Sequence, residues 1–426
     1  LWEAADTLPN TEAVVKEGLE LLTIHRGNYT ATGPSPKQLQ LLWWEFPPQH
    51  WTALREGCRM NFLVPPVACI HDNVPMDQEQ LDVAAAFVDE LLELKIVKLM
   101  DEGREVLANA PLFTVPKEGQ EGQWRVIADM LRGGQNSCIG PDPCVLPRQS
   151  HILDQMYEGG YSAVVDARKF FHQFPTHPDD RPYLGLKHPI TGVLYVYRGL
   201  PMGGGSSPGL AGQYGLSLLR LLREKCKLFQ GEAKANCWWT GFSETGFDPK
   251  LGYGFILHAK DGPAVKMWVW VDDFILHGPT QEKTMRALNY FLDTTVKVGM
   301  LCHPKKLTPP AQVVKYCGFL FDTRGVPCLR IPVAKRERAY AIVQHLRQAP
   351  LNRRWSRLSL AVAAGVLESL IEATPRRIGH TYLRRFHSVV HPEGLGSGLD
   401  PYLTLASLTR EVRKDLEWGP CSLLQP

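Results

Sequence analysis

A chain of 426 residues with 44% apolar and 21% charged side chains can bury several cores, which excludes a disordered or fibrous protein and leaves room for two to four structural units. Ten cysteines run from Cys58 to Cys421 without a CxxC pair, so neither a zinc site nor a disulfide framework is indicated, and a reducing, intracellular setting, cytoplasmic or nuclear, is expected. The net charge of +3 is too small to imply a nucleic-acid partner by itself, no apolar run reaches membrane-spanning length, and the chain reads as a soluble fragment of something longer.

Residues 1 to about 60 mix Trp43, Trp44, Trp51 and several prolines without a clear period and are taken as an N-terminal extension. From Asp77, a helix cap with Gln80 three residues on, Leu81, Ala84, Ala85, Val88, Leu91 and Leu92 follow helical spacing. Strand-like runs at Pro111–Val115 and Trp124–Ala128 flank a polar, glycine-containing segment, which predicts a hairpin with Lys117 and Arg125 beside its tip. Ser162–Val165 is a short apolar strand ending at Asp166, and a strand pair is expected around Leu194–Tyr197. The glycine-rich stretch Leu200–Gly212 then leads into a helix through Leu222. Residues 223–263 hold Trp238, Trp239 and many glycines and lysines without a firm period and are read as an inserted loop region. A helix over Thr280–Val298 presents Met285, Leu288, Leu292 and Val296 on one side and stops at Gly299.

Beyond Arg330 the chain reads as helical to its end. Between Arg330 and Val390 twelve basic residues (Arg330, Lys335, Arg336, Arg338, Arg347, Arg353, Arg354, Arg357, Arg376, Arg377, Arg384 and Arg385) face three acidic ones, Glu337, Glu368 and Glu372. That imbalance favours a surface that tracks phosphates over an ordinary solvated helix face.

The chemistry concentrates at Met267–Leu276, two β-type apolar runs joined at Val271-Asp272-Asp273. An isolated Asp-Asp pair is more often a plain turn. A second strand ending in Asp166 changes the reading, because carboxylates gathered at strand ends repel one another unless a cation neutralises them, and oxygen-rich sites of that kind suit magnesium. Two such ions would activate an attacking hydroxyl and stabilise a leaving pyrophosphate.

The run Val164-Val165-Asp166-Ala167-Arg168-Lys169-Phe170-Phe171-His172-Gln173 resembles the first palm motif of retroelement reverse transcriptases, Leu200-Pro201-Met202-Gly203 with Ser207-Pro208 resembles the second, and Val271-Asp272-Asp273 the third. Pro111–Val115 through Trp124–Asp129 is similar to their fingers hairpin, Gly299–Lys306 to the segment whose lysine lies near the pyrophosphate, and Tyr316-Cys317-Gly318-Phe319 to the primer grip. Leu358–Glu368 and Asp415–Trp418 resemble a thumb and connection, and within retroelements the similarity is greatest to tyrosine-recombinase (DIRS-like) and gypsy-like elements. Trp270 stands where the family usually has Tyr, Met202 replaces the usual Gln or Phe, and the interval from Pro208 to Asp272 is longer than usual.

The resemblance implies an α+β right-hand polymerase fold, with fingers at 61–160, an antiparallel palm at 161–325 (containing a fingers segment at 174–199 and the insertion at 223–263) and a helical thumb or connection at 326–426, ending before a ribonuclease H domain. It implies an RNA-directed DNA polymerase in which Asp166, Asp272, Asp273 and Lys306 are catalytic, and Asp166, Ala167, Asp272 and Asp273 hold two Mg2+ ions, with Mn2+ as a substitute. Lys117, Arg125, Ala167, Phe171, Met202 and Gly203 would contact the incoming dNTP, with Phe171 as the gate that leaves no room for a 2′-hydroxyl and Gly203 letting the backbone approach the base pair. Its partners would be a primed RNA or DNA template and dNTPs; a ribonuclease H domain in a parent polyprotein and a second copy of the chain remain open. Two rivals share these features: an RNA polymerase of viral type, which Phe171 argues against, and a silent or domesticated RNA-binding subunit, which the intact aspartates argue against.

Overall fold

The computed structural model describes residues 56–117, 122–140, 146–222, 239–244, 254–259, 262–297, 299–303, 306–373, 379–392 and 404–416. Most of the expected N-terminal extension, the hairpin tip, Trp238, Lys305, Arg376, Arg377 and Trp418 lie outside the described residues. The chain divides into two compact units, one of residues 1–147 and 159–312, the other of 148–158 and 313–426.

In the first unit, helix α1 (Gln78–Glu93) starts at the expected capping box, in which Asp77 accepts from Gln80 N–H and Gln80 returns its side chain to the Asp77 backbone. Of the residues the helical spacing singled out, Ala84, Ala85, Val88 and Leu91 are buried and Leu81 and Leu92 partly so. Strand β1 (Val97–Lys98) follows, then the hairpin of β2 (Leu112–Pro116) and β3 (Trp124–Ala128), paired from Leu112↔Ala128 to Pro116↔Trp124.

Strand β4 (Tyr161–Asp166) leads to the turn that carries the first motif, and β5 (Gly185–Lys187) and β6 (Leu194–Tyr197) form a small sheet with β1 in the order β1-β6-β5. Helix α2 (Ser207–Leu221) has Pro208 in its first turn, where a missing N–H costs nothing. Strands β7 (Trp239–Glu244), β8 (Phe255–Ala259), β9 (Gly262–Trp270) and β10 (Asp273–Gly278), helix α3 (Gln281–Lys297) and β11 (Thr308–Ala311) complete the unit. The central sheet is antiparallel throughout, ordered β11-β4-β10-β9-β8-β7.

That order corrects the reading of 223–263 as a loop. Its described parts add β7 and β8 to the sheet edge, with Phe255 and Leu257 fully buried and Phe255 paired to Met267. The alternation of Phe255 and Leu257 is real but two residues long, too short to stand out among glycines and lysines.

Helices α2 and α3 pack on this sheet, α3 joined to β10 by Phe291 and Phe274 at 4.9 Å between ring centroids. Gly215 lets α2 approach β9 closely, since a Cβ there would lie 3.1 Å from Val269 Cγ2. Thr280 opens α3 by accepting from Lys283 N–H, and Gly299, at φ +76°, follows the segment as expected.

The second unit, residues 148–158 and 313–426, is not wholly helical, and strands also interrupt the stretch beyond Arg330 that was expected to be helical to its end. It contains a meander of β12 (Val313–Tyr316), β13 (Phe319–Asp322) and β14 (Cys328–Arg330), whose first turn has both Cys317 and Gly318 at positive φ. Helices α4 (Val333–Gln348), α5 (Arg357–Glu368) and α6 (Gly379–Val390) follow. Strands β15 (Arg354–Ser356) and β16 (Leu405–Ser407) pair across about 50 residues, a partnership that local periodicity cannot reveal. The unit has its own core, built on Ala339, Val343, Leu360, Leu367, Phe386 and Leu416.

Replacing Asp77 by Ala should remove the carboxylate that accepts from Gln80 N–H, leaving the backbone half of the box, and lower stability by about 1 kcal/mol, read as a reduced denaturant midpoint at unchanged slope.

Candidate active site

The site is built by strand register. Asp273, the first residue of β10, is paired directly with Asp166, the last of β4, and also with Trp270, the last of β9. Val271 and Asp272 form the two-residue turn between them. Val271 has φ +57°, a strained conformation for a β-branched side chain. Three carboxylates are thus fixed at one end of a sheet whose apolar residues (Ala163, Val165, Met267, Val269, Phe274 and Leu276) form the core below.

Backbone bonds lock the turn to its neighbours. Ala167 N–H donates to Asp272 O at 2.8 Å, His303 N–H to Asp166 O at 2.7 Å, and Arg168 N–H to Leu301 O at 2.8 Å. Gln173, which the sequence did not single out, donates to the Arg168 and Leu301 carbonyls and accepts from Leu301 N–H. Lys306 is brought to the site as predicted, with Nζ 2.8 Å from Asp166 Oδ2.

Burial pushes the Asp273 carboxyl up to about 7, aided by the charges of Asp272 and Asp166 and by a hydrogen bond with Asp166. Burial, with the Asp166 charge, also raises Asp272. Such a donor set, all carboxylate oxygen and short of positive charge, fits hard divalent cations better than zinc. Among the described residues no three His, Cys, Asp or Glu side chains converge tightly enough to hold an ion as they stand. Asp166 is engaged by Lys306, so taking up an ion requires that ammonium to yield. Ala167 is 2% exposed with a methyl side chain, and any part it plays in a metal or nucleotide site runs through its backbone.

After Asp166 the chain does not start an α-helix. Lys169 adopts φ +47°, with Nζ on Glu90 at 2.9 Å, and Phe170–Gln173 form a 3₁₀ turn. The turn separates the two phenylalanines. Phe170 is buried against Phe174 and Tyr214, whereas Phe171 is only partly buried at the edge of that core. His172 is buried, its Nδ1 bonded to Leu200 O at 2.9 Å, and burial lowers it to about 4.

The glycine-rich loop carries Met202, 54% exposed, and Gly203 at φ +98°, where a Cβ would sit 3.4 Å from Ala128 O. Asn136, also not foreseen, bonds both sides of this loop. No local signal marks Asn136 or Gln173, because the Gly203 and Gly205 partners of Asn136 and the Leu301 partner of Gln173 lie more than 60 residues away. Lys117 and Arg125 lie on the β2–β3 hairpin, outside the carboxylate-bearing sheet; Lys117 N–H bonds Gln123 O, and its Nζ reaches Gln123 Oε1 at 3.5 Å.

An antiparallel sheet presenting one carboxylate at a strand end and two at the adjoining hairpin is the arrangement of the palm in the right-hand polymerase fold. Residues 115–321 match the family described as "Reverse transcriptase (RNA-dependent DNA polymerase)" and constitute a reverse transcriptase domain of the retroviral or retroelement type. Over 155 residues the chain is 26% identical to the Gag-Pro-Pol polyprotein of squirrel monkey retrovirus, a match covering 34% of this chain and 7% of the polyprotein. The fold is similar to that of part of the foamy viral protease-reverse transcriptase, of which the chain spans less than two thirds. In its complex with RNA/DNA hybrid the TM-score is 0.55 at 16% identity, covering 85% of this chain and 39% of that one. In a complex of the dRH form with double-stranded DNA the TM-score is 0.53 at 16% identity, covering 85% and 53%.

The raised pKa of Asp273 has a direct consequence for metal-free protein. Between about pH 4, where an unfolded aspartate titrates, and about pH 7 the folded state holds the extra proton, so this group's contribution to stability falls as pH rises through that window and is constant above it. Asp273→Asn should therefore gain on wild type between pH 5 and pH 8, on the order of 1 to 2 kcal/mol after solvent screening, measured by urea unfolding in chelator. An unchanged difference between the two pH values would show that Asp273 titrates normally.

Proposed function

We propose that the chain is an RNA-directed DNA polymerase that extends a primer with dNTPs on an RNA or DNA template. The observation that carries this reading is the pairing of Asp166 with Asp273 across β4 and β10, with Asp272 in the turn, inside a domain of reverse transcriptase type.

Asp166 and Asp272 would hold two Mg2+ ions, replaceable by Mn2+, with Asp273 supporting them and the Ala167 backbone completing the set. The ions, when bound, supply the positive charge that activates the primer hydroxyl and stabilises the leaving pyrophosphate. The remaining work falls to the chain. Lys306, released from Asp166, would neutralise phosphate oxygens, as would Lys117 and Arg125 from the hairpin. Phe171 closes the space beneath the sugar, where an aromatic face excludes a 2′-hydroxyl. Gly203 brings backbone without a side chain toward the nascent base pair.

Foamy viral relatives have been seen with RNA/DNA hybrid and double-stranded DNA, and we propose the same class of partner here. The described arginines of the second unit, among them Arg336, Arg338, Arg384 and Arg385, supply charge for its phosphates. The Leu-Pro-x-Gly and Val-Asp-Asp motifs support an origin in a gypsy-like or DIRS-like retroelement. Six described cysteines with free thiols agree with a reducing, intracellular setting.

With a DNA primer on an RNA template and Mg2+, wild type should extend with dNTPs and stop on addition of chelator. Asp272→Asn should reduce the rate by about a thousandfold or more, as expected for loss of a metal ligand. No extension by wild type, or undiminished extension by Asp272→Asn, would sink the proposal. Phe171→Ala should raise ribonucleotide incorporation relative to deoxynucleotide by about tenfold or more at retained activity; an unchanged ratio would remove Phe171 from the gate without touching the polymerase reading.

A further inference from the structure

The glycine-rich loop is anchored at both ends by different means. At its start, Leu200 N–H donates to Phe174 O at 2.8 Å, His172 bonds the Leu200 carbonyl, and Ser207 Oγ donates to Pro201 O at 3.0 Å. At its far end Ser206 Oγ donates to Met60 O at 3.1 Å and Ser207 N–H to Gly204 O at 3.1 Å, and between the two ends a side chain from outside the loop grips it at two points. Asn136 Nδ2 donates to Gly203 O at 2.9 Å, and Asn136 Oδ1 accepts from Gly205 N–H at 2.9 Å.

One partner is a backbone acceptor and the other a backbone donor, so the orientation of the carboxamide is fixed by its surroundings. A carboxylate could accept from Gly205 but not donate to Gly203, and an aliphatic side chain could do neither. Gly203 at φ +98° sits in a backbone state that glycine permits but does not by itself choose. The two-point grip of Asn136 on Gly203 O and Gly205 N–H braces that state from outside the loop, alongside the Gly204 N–H bond to Pro201 O within it.

Asn136 also has a place in the chain that gives the grip a purpose. It lies in the short helical turn Gln135–Cys138, a few residues after β3, and its own N–H bonds Met130 O at 3.0 Å. The intervening bend is braced by the Asp129 side chain, which accepts from Leu131 and Arg132 N–H. Ala128 O, the last carbonyl of β3, is the nearest atom to a Cβ built on Gly203. The base of the hairpin and the glycine-rich loop are therefore tied through one residue, next to the exposed Met202.

We infer that Asn136 is a positioning residue that holds Met202–Gly205 in register with the base of the β2–β3 hairpin and so sets how closely an incoming base pair is checked. This rests on the polymerase reading above. Asn136 touches neither the carboxylates nor Lys306 in the bonds it makes, so its loss acts on nucleotide affinity and selection and leaves the chemical step alone.

The test uses the full chain as wild type, Asn136→Ala and Asn136→Asp, with single-nucleotide primer extension for matched and mismatched dNTPs, thermal melting, and hydrogen exchange at the Gly205 amide. Both variants should show KM for the matched dNTP raised about tenfold with kcat within about twofold, and a higher share of mismatched incorporation, at nearly unchanged melting temperature. In Asn136→Ala the Gly205 amide should also exchange faster. Unchanged KM and mismatch ratio in the folded variants, or a fall in kcat alone, would overturn the inference. If Asn136→Ala fails to fold, Asn136→Asp, which keeps the acceptor for Gly205, decides it. Inactive wild type would count against the polymerase reading; the clamp would then stand or fall on Gly205 exchange, unchanged protection in Asn136→Ala overturning it.

Discussion

The pairing of Asp166 with Asp273 is the constraint on which the rest of the first unit depends. Register in an antiparallel sheet is fixed by which residues can be buried, and a slip of one residue would turn Ala163, Val165, Phe274 and Leu276 away from the core. Each large apolar side chain buried there contributes about 1.5–3 kcal/mol, enough in sum to hold three carboxylates together against their mutual repulsion. Strain follows from the same register: with Trp270 and Asp273 paired, the turn has two residues to reverse direction, and Val271 takes up a left-handed conformation to do it.

The repulsion is not relieved inside the protein so much as deferred. Asp273 is driven toward its protonated form, Asp272 is raised as well, and Lys306 neutralises Asp166 at 2.8 Å. A site in that state is poised to exchange a proton and an ammonium contact for divalent cations. The surrounding backbone bonds, from Ala167 to Asp272 and from His303 to Asp166, would keep the carboxylates in place during such an exchange. Rigidity comes from the sheet and reactivity from the unbalanced charge it carries.

Much of this was legible in the sequence because its signals are local. The Asp77–Gln80 cap, the alternation around Trp124–Ala128 and the paired aspartates between two apolar runs each declare themselves within a few residues. The sequence also separated Phe171 from Phe170 by motif position, and the 3₁₀ turn places Phe170 in the core and Phe171 at its edge. What escaped depends on distant partners. Strands β15 and β16 find each other across a helical region, β7 and β8 join a sheet begun far upstream, and Asn136 and Gln173 act on backbone more than 60 residues away. Polar side chains that serve remote backbone carry no periodicity, so nothing in their own neighbourhood distinguishes them from surface residues.

The central claim is that the paired ends of β4 and β10 hold divalent cations, and it can be tested at the site itself. Iron(II) loaded in place of magnesium and supplied with hydrogen peroxide is oxidised to iron(III), releasing hydroxide and a hydroxyl radical that cuts the chain next to where the metal sits. Cleavage close to Asp166 and to Asp272-Asp273, suppressed by excess Mg2+ and lost in Asp272→Asn, is the expected result. Cuts confined to other parts of the chain, or cuts at these positions that persist in Asp272→Asn, would contradict the account.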